Sequence, residues 1–374
     1  MSIKITKLVL QNFRNFKEKK FTFLKNLVFF SGKNGVGKTN ILEALSVFGK
    51  NPNLRGADFE EMIFLDYENN NKAKQFTIFC EIANHDLIEK IGISFDENKK
   101  KSIEINAESL NSKRLEELKN EMINFIWLTP KLELLLISGK YERRDYLDKI
   151  VSDIDLSHSK RVINYQKSLK ERLLILQKPQ NKNQEKWLEI VENKITELGV
   201  AIATARVDTV NFFNKAINSF ESNFPKSKLE IVGDVEREIY NKSALQIEEF
   251  YKEKLQKNRD IDRENFKTNF GVHRSDFAAI FLDKNAPSSY SSTGEQKSIM
   301  IGITLARAKI SSQYKNQPTI LIFDEIISHL DEKKKFDLFD EIGKTNLQCF
   351  FSATSPNLIS QEFLQKNLVE IIEI

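Results

Sequence analysis

The stretch Gly32-Lys33-Asn34-Gly35-Val36-Gly37-Lys38-Thr39 decides the fold, because it fits the pattern GxxxxGK[ST]. In this pattern the glycines let backbone N–H groups curl around phosphate oxygens, and the lysine reaches the terminal phosphates. The Thr39 hydroxyl suits Mg²⁺. We therefore predict a site for ATP and Mg²⁺, with Lys38 as a candidate catalytic residue. The residues predicted to contact the nucleotide here are Gly32, Lys33, Asn34, Gly35, Val36, Gly37, Lys38, Thr39 and Asn40.

The residues on either side place this loop between a strand and a helix. Leu27-Val28-Phe29-Phe30 is an apolar run of the kind found in strands that are buried on both faces of a sheet. After the loop, Ile41, Leu42, Leu45 and Phe48 recur at helical spacing and form one apolar stripe. Strand, glycine loop and helix in this order form the context that the phosphate-binding pattern requires.

A second apolar strand, Leu321-Ile322-Phe323, ends in Asp324-Glu325. Acids at the end of a strand are common, but beside a phosphate loop they acquire a chemical role. Asp324 is predicted to bind Mg²⁺, directly or through water, and Glu325 to polarise the attacking water as a catalytic residue.

The rest of the chain predicts an α/β fold with a helical insertion. Residues 76–82, 91–95 and 103–105 alternate apolar and polar side chains, which is typical of an antiparallel meander with one buried face. From about Asn111 to Lys257 the pattern is mostly helical, and the apolar stripe that begins at Trp187 is its clearest part. We therefore predict a head formed by residues 1–125 and 262–374, and an inserted helical arm formed by residues 126–261.

Composition limits the class of protein without naming it. The 57 Lys and Arg residues nearly balance 53 Asp and Glu residues, so a nucleic-acid site would have to come from local clustering. The two cysteines, Cys80 and Cys349, have no CxxC neighbour, which argues against a zinc site or a disulfide framework. No apolar run approaches the ~20 residues of a membrane span, and the first residues do not resemble a secretion signal. We expect a cytoplasmic protein with no membrane partner.

The stretch Ser291-Ser292-Thr293-Gly294-Glu295-Gln296-Lys297-Ser298 is a second phosphate-friendly loop. It resembles the signature motif of ABC-type ATPases, small-Ser-Gly-Gly-Gln/Glu, although Thr293 replaces the first glycine. The resemblance implies an ABC-type ATPase head in which Ser292, Gly294 and Glu295 bind the γ-phosphate that a second copy holds. Ser328-His329-Leu330-Asp331 similarly resembles the D-loop of that class.

Three further segments resemble motifs of the RecF family and together extend over most of the chain. Residues 10–16, LQNFRNF, resemble its opening L-x-x-F-R-N. Trp127-Leu128-Thr129-Pro130, with Gly139 and the stretch ERRDYLD at 142–148, resembles its P…G…RR-x-F/Y-L-D segment. Gly271-Val272-His273-Arg274-Ser275-Asp276 resembles its G-x-H-R-x-D.

This family resemblance implies an ATP-dependent homodimer that binds duplex DNA, including gap and junction DNA. It implies a weak ATPase with composite sites, a partnership with RecR and RecO, and help in loading RecA during DNA replication and repair. Position in the chain suggests that Arg14 lies near the nucleotide, and that His273-Arg274 acts at the base of the arm.

Two pieces usual in ABC heads are missing. Trp127 to Pro130 stand where a glutamine is expected, and Ser352 to Ser355 stand where a histidine is expected. We therefore predict slow hydrolysis, with Thr354 or Ser355 replacing the histidine.

Basic clusters give modest support for DNA binding. The alternative interpretation of each cluster is an ordinary charged surface exposed to solvent. For Arg143-Arg144, a further alternative is a structural ion pair with Asp145 or Asp148. The candidates are Lys160, Arg161, Lys167, Lys170 and Arg172 on an arm helix, Lys99 to Lys101 in a meander turn, and Arg143-Arg144 near the base of the arm.

Two other functions stay open from the sequence. A transport-coupled ATPase would need a membrane subunit and would not bind duplex DNA. A scaffold that binds ATP without turning it over is disfavoured by Glu325.

Overall fold

The computed structural model describes residues 3–50, 54–66, 71–84, 87–111, 114, 122–178, 181–219, 221–355, 358–359 and 368–374. Its strands are β1 Ile3–Phe13, β2 Phe16–Thr22, β3 Leu27–Ser31, β4 Leu65–Asp66, β5 Asn71–Lys72, β6 Gln75–Asn84, β7 Leu87–Asp96, β8 Lys101–Ile105, β9 Glu108–Ser109, β10 Asn124–Leu128, β11 Ser227–Val232, β12 Asp276–Phe281, β13 Ala286–Pro287, β14 Thr319–Phe323, β15 Gln348–Ala353 and β16 Val369–Glu373. Its α-helices are α1 Lys38–Ser46, α2 Pro130–Glu133, α3 Lys140–Ile154, α4 His158–Leu176, α5 Lys182–Ser219, α6 Asp234–Glu238, α7 Ala244–Lys257, α8 Arg259–Asn265, α9 Thr293–Lys309 and α10 Glu332–Thr345.

The chain divides into two compact units. The first contains Met1–Glu133, Ser222–Phe224 and Met300–Ile374, and the second contains Leu134–Glu221 and Pro225–Ile299. This contact-based division assigns residues 262–299 to the unit of the helices, whereas the sequence-based prediction places them in the head.

A five-stranded parallel sheet forms the centre of the first unit, in the order β10-β14-β15-β3-β16. Every residue of β3 and β14 is buried, as their continuous apolar sequence predicts. The carboxyl ends of parallel strands meet at one edge of a sheet. That edge therefore gathers the glycine loop after β3, Asp324 after β14 and the end of β15.

An antiparallel sheet, in the order β2-β1-β6-β7-β8-β9, packs against the same core. Phe76, Ile78 and Cys80 of β6 are fully buried, as their period-two spacing predicts. The predicted α/β class, with a parallel phosphate-loop core and an antiparallel meander, is therefore confirmed.

The second unit combines helices with a small sheet. Its three strands pair antiparallel in the order β11-β12-β13. The expectation of mostly helical structure from Asn111 to Lys257 misses two strands, β10 and β11. Both strands are only five or six residues long, so they give little periodic signal.

The 38-residue helix α5 is the main support of the second unit. Val191, Ile195 and Ile202 of its predicted stripe are buried, but Trp187 is 46% exposed. The Trp187 indole instead donates to Glu171 Oε1 at 3.1 Å, which anchors it at the surface of α4. Within the described part of the chain, no helix is long and apolar enough to cross a membrane.

Candidate active site

The glycine loop is held by the two-residue turn between β1 and β2. Asn15 Nδ2 in this turn donates to the Val36 carbonyl at 3.0 Å, and Asn15 Oδ1 accepts from Asn40 Nδ2 at 2.7 Å. Gly37 has a φ of 108°, and a Cβ there would lie 2.6 Å from Asn15 Nδ2. Both the backbone angle and the close approach of Asn15 therefore require glycine at this position.

Arg14, the neighbour of Asn15, binds the helix that follows the loop. Its Nε and Nη2 donate to the two carboxylate oxygens of Glu43 at 2.7 and 2.8 Å, and Glu43 is fully buried. This bidentate pair fixes the β1–β2 turn to α1. Arg14 thus lies beside the phosphate loop through its bond to α1.

Lys38 is buried at the start of α1, with 4% exposure. Its ammonium donates to the carbonyls of Gly32 and Lys33 at 2.7 and 2.8 Å. These two bonds hold the amine inside the curl of the loop. A phosphate in that curl would take over the ammonium's hydrogen bonds, so the loop fits the predicted ligand.

Thr39 and Asp324 meet although 285 residues separate them. Thr39 Oγ1 donates to Asp324 Oδ1 at 3.0 Å. Because the hydroxyl proton points to the carboxylate, the lone pairs of Thr39 Oγ1 stay available to a cation. The Thr39 hydroxyl and the Asp324 carboxylate are both hard oxygen ligands of the kind that Mg²⁺ prefers. The two predicted metal ligands therefore fit that ion.

Glu325 stands at the end of β14 in an unusual backbone conformation. Its φ is 58°, in the left-handed region that non-glycine residues seldom adopt. Its amide donates to Ser352 Oγ at 2.8 Å, and the Ser352 hydroxyl donates to Asp324 Oδ1 at 2.6 Å. A 3₁₀ turn, Ile326–His329, follows; the side chain of His329 lies outside what the structure describes.

The second glycine loop lies at the surface of the second unit. Ser292, Thr293 and Gly294 are exposed, and a Cβ at Gly294 would meet no atom within 4 Å. The Ser292 amide donates to Glu295 Oε2, and Ser292 Oγ accepts from the Glu295 amide, a reciprocal cap at the start of α9. Hydrogen bonds from the Lys284 ammonium and the Ser292 amide hold the pKa of Glu295 below its usual value.

The side chains of the predicted basic clusters differ in their burial and in their ion pairs. Lys167 and Lys170 are exposed on α4, whereas Arg172 is fully buried, so Arg172 is wrong as a DNA-contact candidate. Arg161 pairs with Asp155 at 2.8 Å.

In the meander turn, Lys99 and Lys101 contact other side chains. Lys99 pairs with Glu60 at 3.1 Å, and Lys101 lies over the Phe59 ring at 4.5 Å. Burial lowers the pKa of Lys101.

Arg143 and Arg144 are structural, but with other partners than predicted. Arg143 makes a bidentate pair with Asp276 at 2.9 and 2.7 Å, and Arg144 donates to the Ser275 carbonyl at 2.8 Å. The predicted partners are occupied elsewhere, since Asp145 pairs with Lys149 and Asp148 pairs with Arg206.

Sequence reasoning missed two side chains of the candidate site, Asn15 and Ser352. Asn15 stands in the quoted opening motif, which was the signal for its role. Ser352 stands in the segment where a histidine is expected, whereas the predicted replacements for that histidine are Thr354 and Ser355. Thr354 is exposed beyond the end of β15, whereas Ser352 is fully buried against Asp324.

Comparison with known proteins agrees with this geometry. The chain matches the family model of the RecF/RecN/SMC N-terminal domain over residues 4–372. The DNA replication and repair protein RecF of Mesorhizobium japonicum is 32% identical, and the alignment covers 95% of this chain and 93% of the relative. RecF of Rickettsia bellii (strain OSU 85-389) is also 32% identical, with 97% and 98% covered.

Solved structures give the same result. A structure of RecF with ATP, a recombination mediator protein in the RecFOR pathway, is 25% identical with a TM-score of 0.79, covering 96% of this chain and 94% of the other. An Smc head domain from Pyrococcus furiosus, bound to the C-terminal domain of ScpA, shares the fold at 16% identity and a TM-score of 0.54, covering 99% and 93%. The predicted ABC-type ATPase head is thus confirmed.

Proposed function

The chain belongs to the RecF family, and we propose that it is an ATP-dependent recombination mediator for DNA replication and repair. Two copies close around two ATP molecules on duplex DNA near single-strand gaps or junctions. Slow hydrolysis then releases the dimer. It works with RecR and RecO so that RecA is loaded.

The observation that carries this proposal is the contact of Thr39 with Asp324 at 3.0 Å. It joins the phosphate loop to the acidic strand, the minimum needed for a nucleotide-hydrolysing site. The relatives named above support the DNA and partner assignments. The exposure of Ser292 and Gly294 supports their use by a second copy, because neither is consumed by packing in its own chain.

Each side chain has a defined task in this site. Lys38 gives up its bonds to the loop carbonyls and binds the terminal phosphates of ATP. Thr39 and Asp324 would hold Mg²⁺, which when bound would neutralise the charge that develops on the phosphates. Glu325 orients and polarises the attacking water. Ser292 completes the site from the partner copy, through its hydroxyl and the positive end of α9.

The proposal is tested by light scattering on the Glu325→Gln protein, with and without ATP-Mg²⁺ and a duplex oligonucleotide. This substitution keeps the shape of the side chain and slows turnover. We expect a monomer that becomes a dimer with ATP and carries duplex. A monomer under every condition contradicts the proposal and favours a scaffold that binds ATP without an ATP-driven dimer.

A pair of arginine substitutions in the same background tests the role of the exposed loop. Ser292→Arg should abolish ATP-driven dimerisation and leave ATP binding intact, since the side chain is exposed. Ala244→Arg, at an exposed position at the start of α7, adds the same charge elsewhere on the second unit and should dimerise normally. Normal dimerisation of Ser292→Arg would exclude the composite site.

A further inference from the structure

We propose that Ser352 is a positioning residue that ties the carboxylate of Asp324 to the main chain of Glu325. The proposal rests on the ATPase function above and assigns a role to a hydroxyl outside the three nucleotide motifs. Ser352 belongs to β15, next to β14 in the parallel sheet.

The direction of both hydrogen bonds follows from simple proton counting. Ser352 has one hydroxyl proton, and the carboxylate of Asp324, 2.6 Å away, can only accept it. The Glu325 amide, 2.8 Å from the same oxygen, can only donate. Ser352 is fully buried, and its bond to Asp324 is shielded from water, whereas its bond to the Glu325 amide is partly buried.

The bonds to Asp324 orient its carboxylate. Among the described residues, the hydrogen bonds to its side chain from Thr39 and Ser352 both end on Oδ1. These two bonds restrict the rotation of the carboxylate and leave Oδ2 without either donor; Asp324 would hold Mg²⁺ directly or through water. Partners that orient a metal ligand in this way typically change metal affinity or activity 10–100-fold when removed, as an order of magnitude.

The bond from Glu325 holds a strained backbone. A φ of 58° at a non-glycine residue persists only where the surroundings enforce it. Without the Ser352 oxygen, the partly buried amide loses its acceptor and the backbone can relax toward an ordinary conformation. The Glu325 carboxylate then moves away from the position where it activates water, and a displacement of about 1 Å is enough to cost about 100-fold in rate.

A matched control exists at the opposite end of the same sheet. Ser311 is also buried, and its hydroxyl contacts Thr319 Oγ1 at 2.9 Å and accepts from Asn124 Nδ2 at 2.9 Å. Thr319 begins β14, whereas Asp324 follows its end. Ser311→Ala therefore removes a buried hydroxyl that contacts the beginnings of β10 and β14 without touching the acidic end of β14.

The experiment compares Ser352→Ala, Ser352→Thr and Ser311→Ala with the unchanged protein. The readouts are kcat, the KM for ATP, and binding of Mn²⁺ in place of Mg²⁺, measured by electron paramagnetic resonance with ATP present. We expect Ser352→Ala to lower kcat about 10–100-fold and to weaken Mn²⁺ binding, with little change in KM. Ser352→Thr, which keeps the hydroxyl, should restore most of both, and Ser311→Ala should change neither.

Two results would overturn the role of Ser352. One is a Ser352→Ala protein whose kcat and Mn²⁺ affinity match those of the unchanged protein. The other is an equal loss in Ser311→Ala, which would make the effect one of general stability. If the unchanged protein does not hydrolyse ATP, the proposed function fails, and the Mn²⁺ measurement still decides the role of Ser352.

Discussion

Replacing Arg172 by methionine should destabilise the second unit strongly, because Arg172 stands at the centre of a buried ionic cluster. Its guanidinium donates to Glu192 at 2.9 Å, Asp262 at 2.7 Å, Thr268 at 3.1 Å and the Leu255 carbonyl at 2.8 Å. Arg172, Glu192 and Asp262 are all fully buried. By contrast, replacing an arginine exposed on the surface of α4 would change the free energy of unfolding very little.

The magnitude follows from what the substitution leaves behind. Glu192 keeps a second cation, because Arg259 Nη2 also donates to it at 2.5 Å. Within the described part of the chain, the remaining hydrogen-bond donors to the Asp262 carboxylate are neutral, namely the amide and the side chain of Asn269. Removing one partner of a buried ion pair costs about 3–5 kcal/mol. That is a large part of the roughly 5–15 kcal/mol by which a protein is stable.

Urea unfolding followed by tryptophan fluorescence measures this loss in the second unit. In a Trp127→Phe background, Trp187 of α5 is the remaining tryptophan and reports on that unit alone. Lys170→Met, at an exposed position of the same helix, is the control and should stay within about 0.5 kcal/mol.

A double substitution separates the charge effect from the lost packing. If the loss comes from the uncompensated Asp262, then Arg172→Met combined with Asp262→Asn should be less destabilised than the sum of the two single variants. The reasoning is refuted if Arg172→Met unfolds at the same urea concentration as Lys170→Met, or if the two substitutions are simply additive.

Three further predictions concern the loop, the arm and acid stability. Gly37→Ala should abolish ATP binding in a fluorescent-nucleotide titration, because a side chain is strained at a φ of 108° and its Cβ would displace the Asn15 side chain that holds the loop; binding at the unchanged affinity would contradict this. Replacing Lys167 and Lys170 together by alanine should reduce the slope of log affinity against log salt by up to about 2 for duplex DNA, since each phosphate contact contributes about 0.9; an unchanged slope excludes both contacts. Burial lowers the pKa of His273 from 6.5 to about 4, so the unfolded chain takes up this proton first as the pH falls, and up to about 3 kcal/mol of stability should be lost between pH 6.5 and 4. The urea midpoints measured at pH 7 and at pH 4.5 should differ less in His273→Gln than in the unchanged protein. If His273→Gln loses as much stability between these two pH values as the unchanged protein does, His273 is excluded as the source of the loss.

The parts of the fold that the sequence predicted are those in which local neighbours determine the outcome. The buried run of β3, the alternating residues of β6 to β8 and the stripe of α5 each carry their own periodic signal over several residues. Short strands such as β11 do not, and Arg172 looked like part of a solvated helix face because its two carboxylate partners are 20 and 90 residues away.

The same distinction applies to the candidate site. Lys38 and Thr39 were recognised from eight consecutive residues, and Asp324 from the strand before it. Asn15 and Ser352 act through partners 21 and 28 residues away, and no pattern along the chain records those bonds. A hydroxyl or amide becomes functional only when the sheet edge brings it to a motif.

The segment Gly271 to Asp276, which resembles a RecF-family motif, has a structural role in the second unit. His273 Nδ1 lies 2.8 Å from the Tyr165 hydroxyl and Nε2 lies 2.8 Å from the Thr268 carbonyl, so Nε2 must carry the proton and Nδ1 must accept from the tyrosine. Ser275 donates to the buried Glu236.

Asp276 completes this set of contacts by accepting from Arg143 of α3. His273 reaches α4, Ser275 reaches α6 and Asp276 reaches α3, so this short segment connects three helices of the second unit. The expectation that His273 acts at the base of the arm stays a prediction, whereas its contacts within the second unit are structural. Its neutral imidazole joins helices by hydrogen bonds, and this is why its protonation should be costly to the fold.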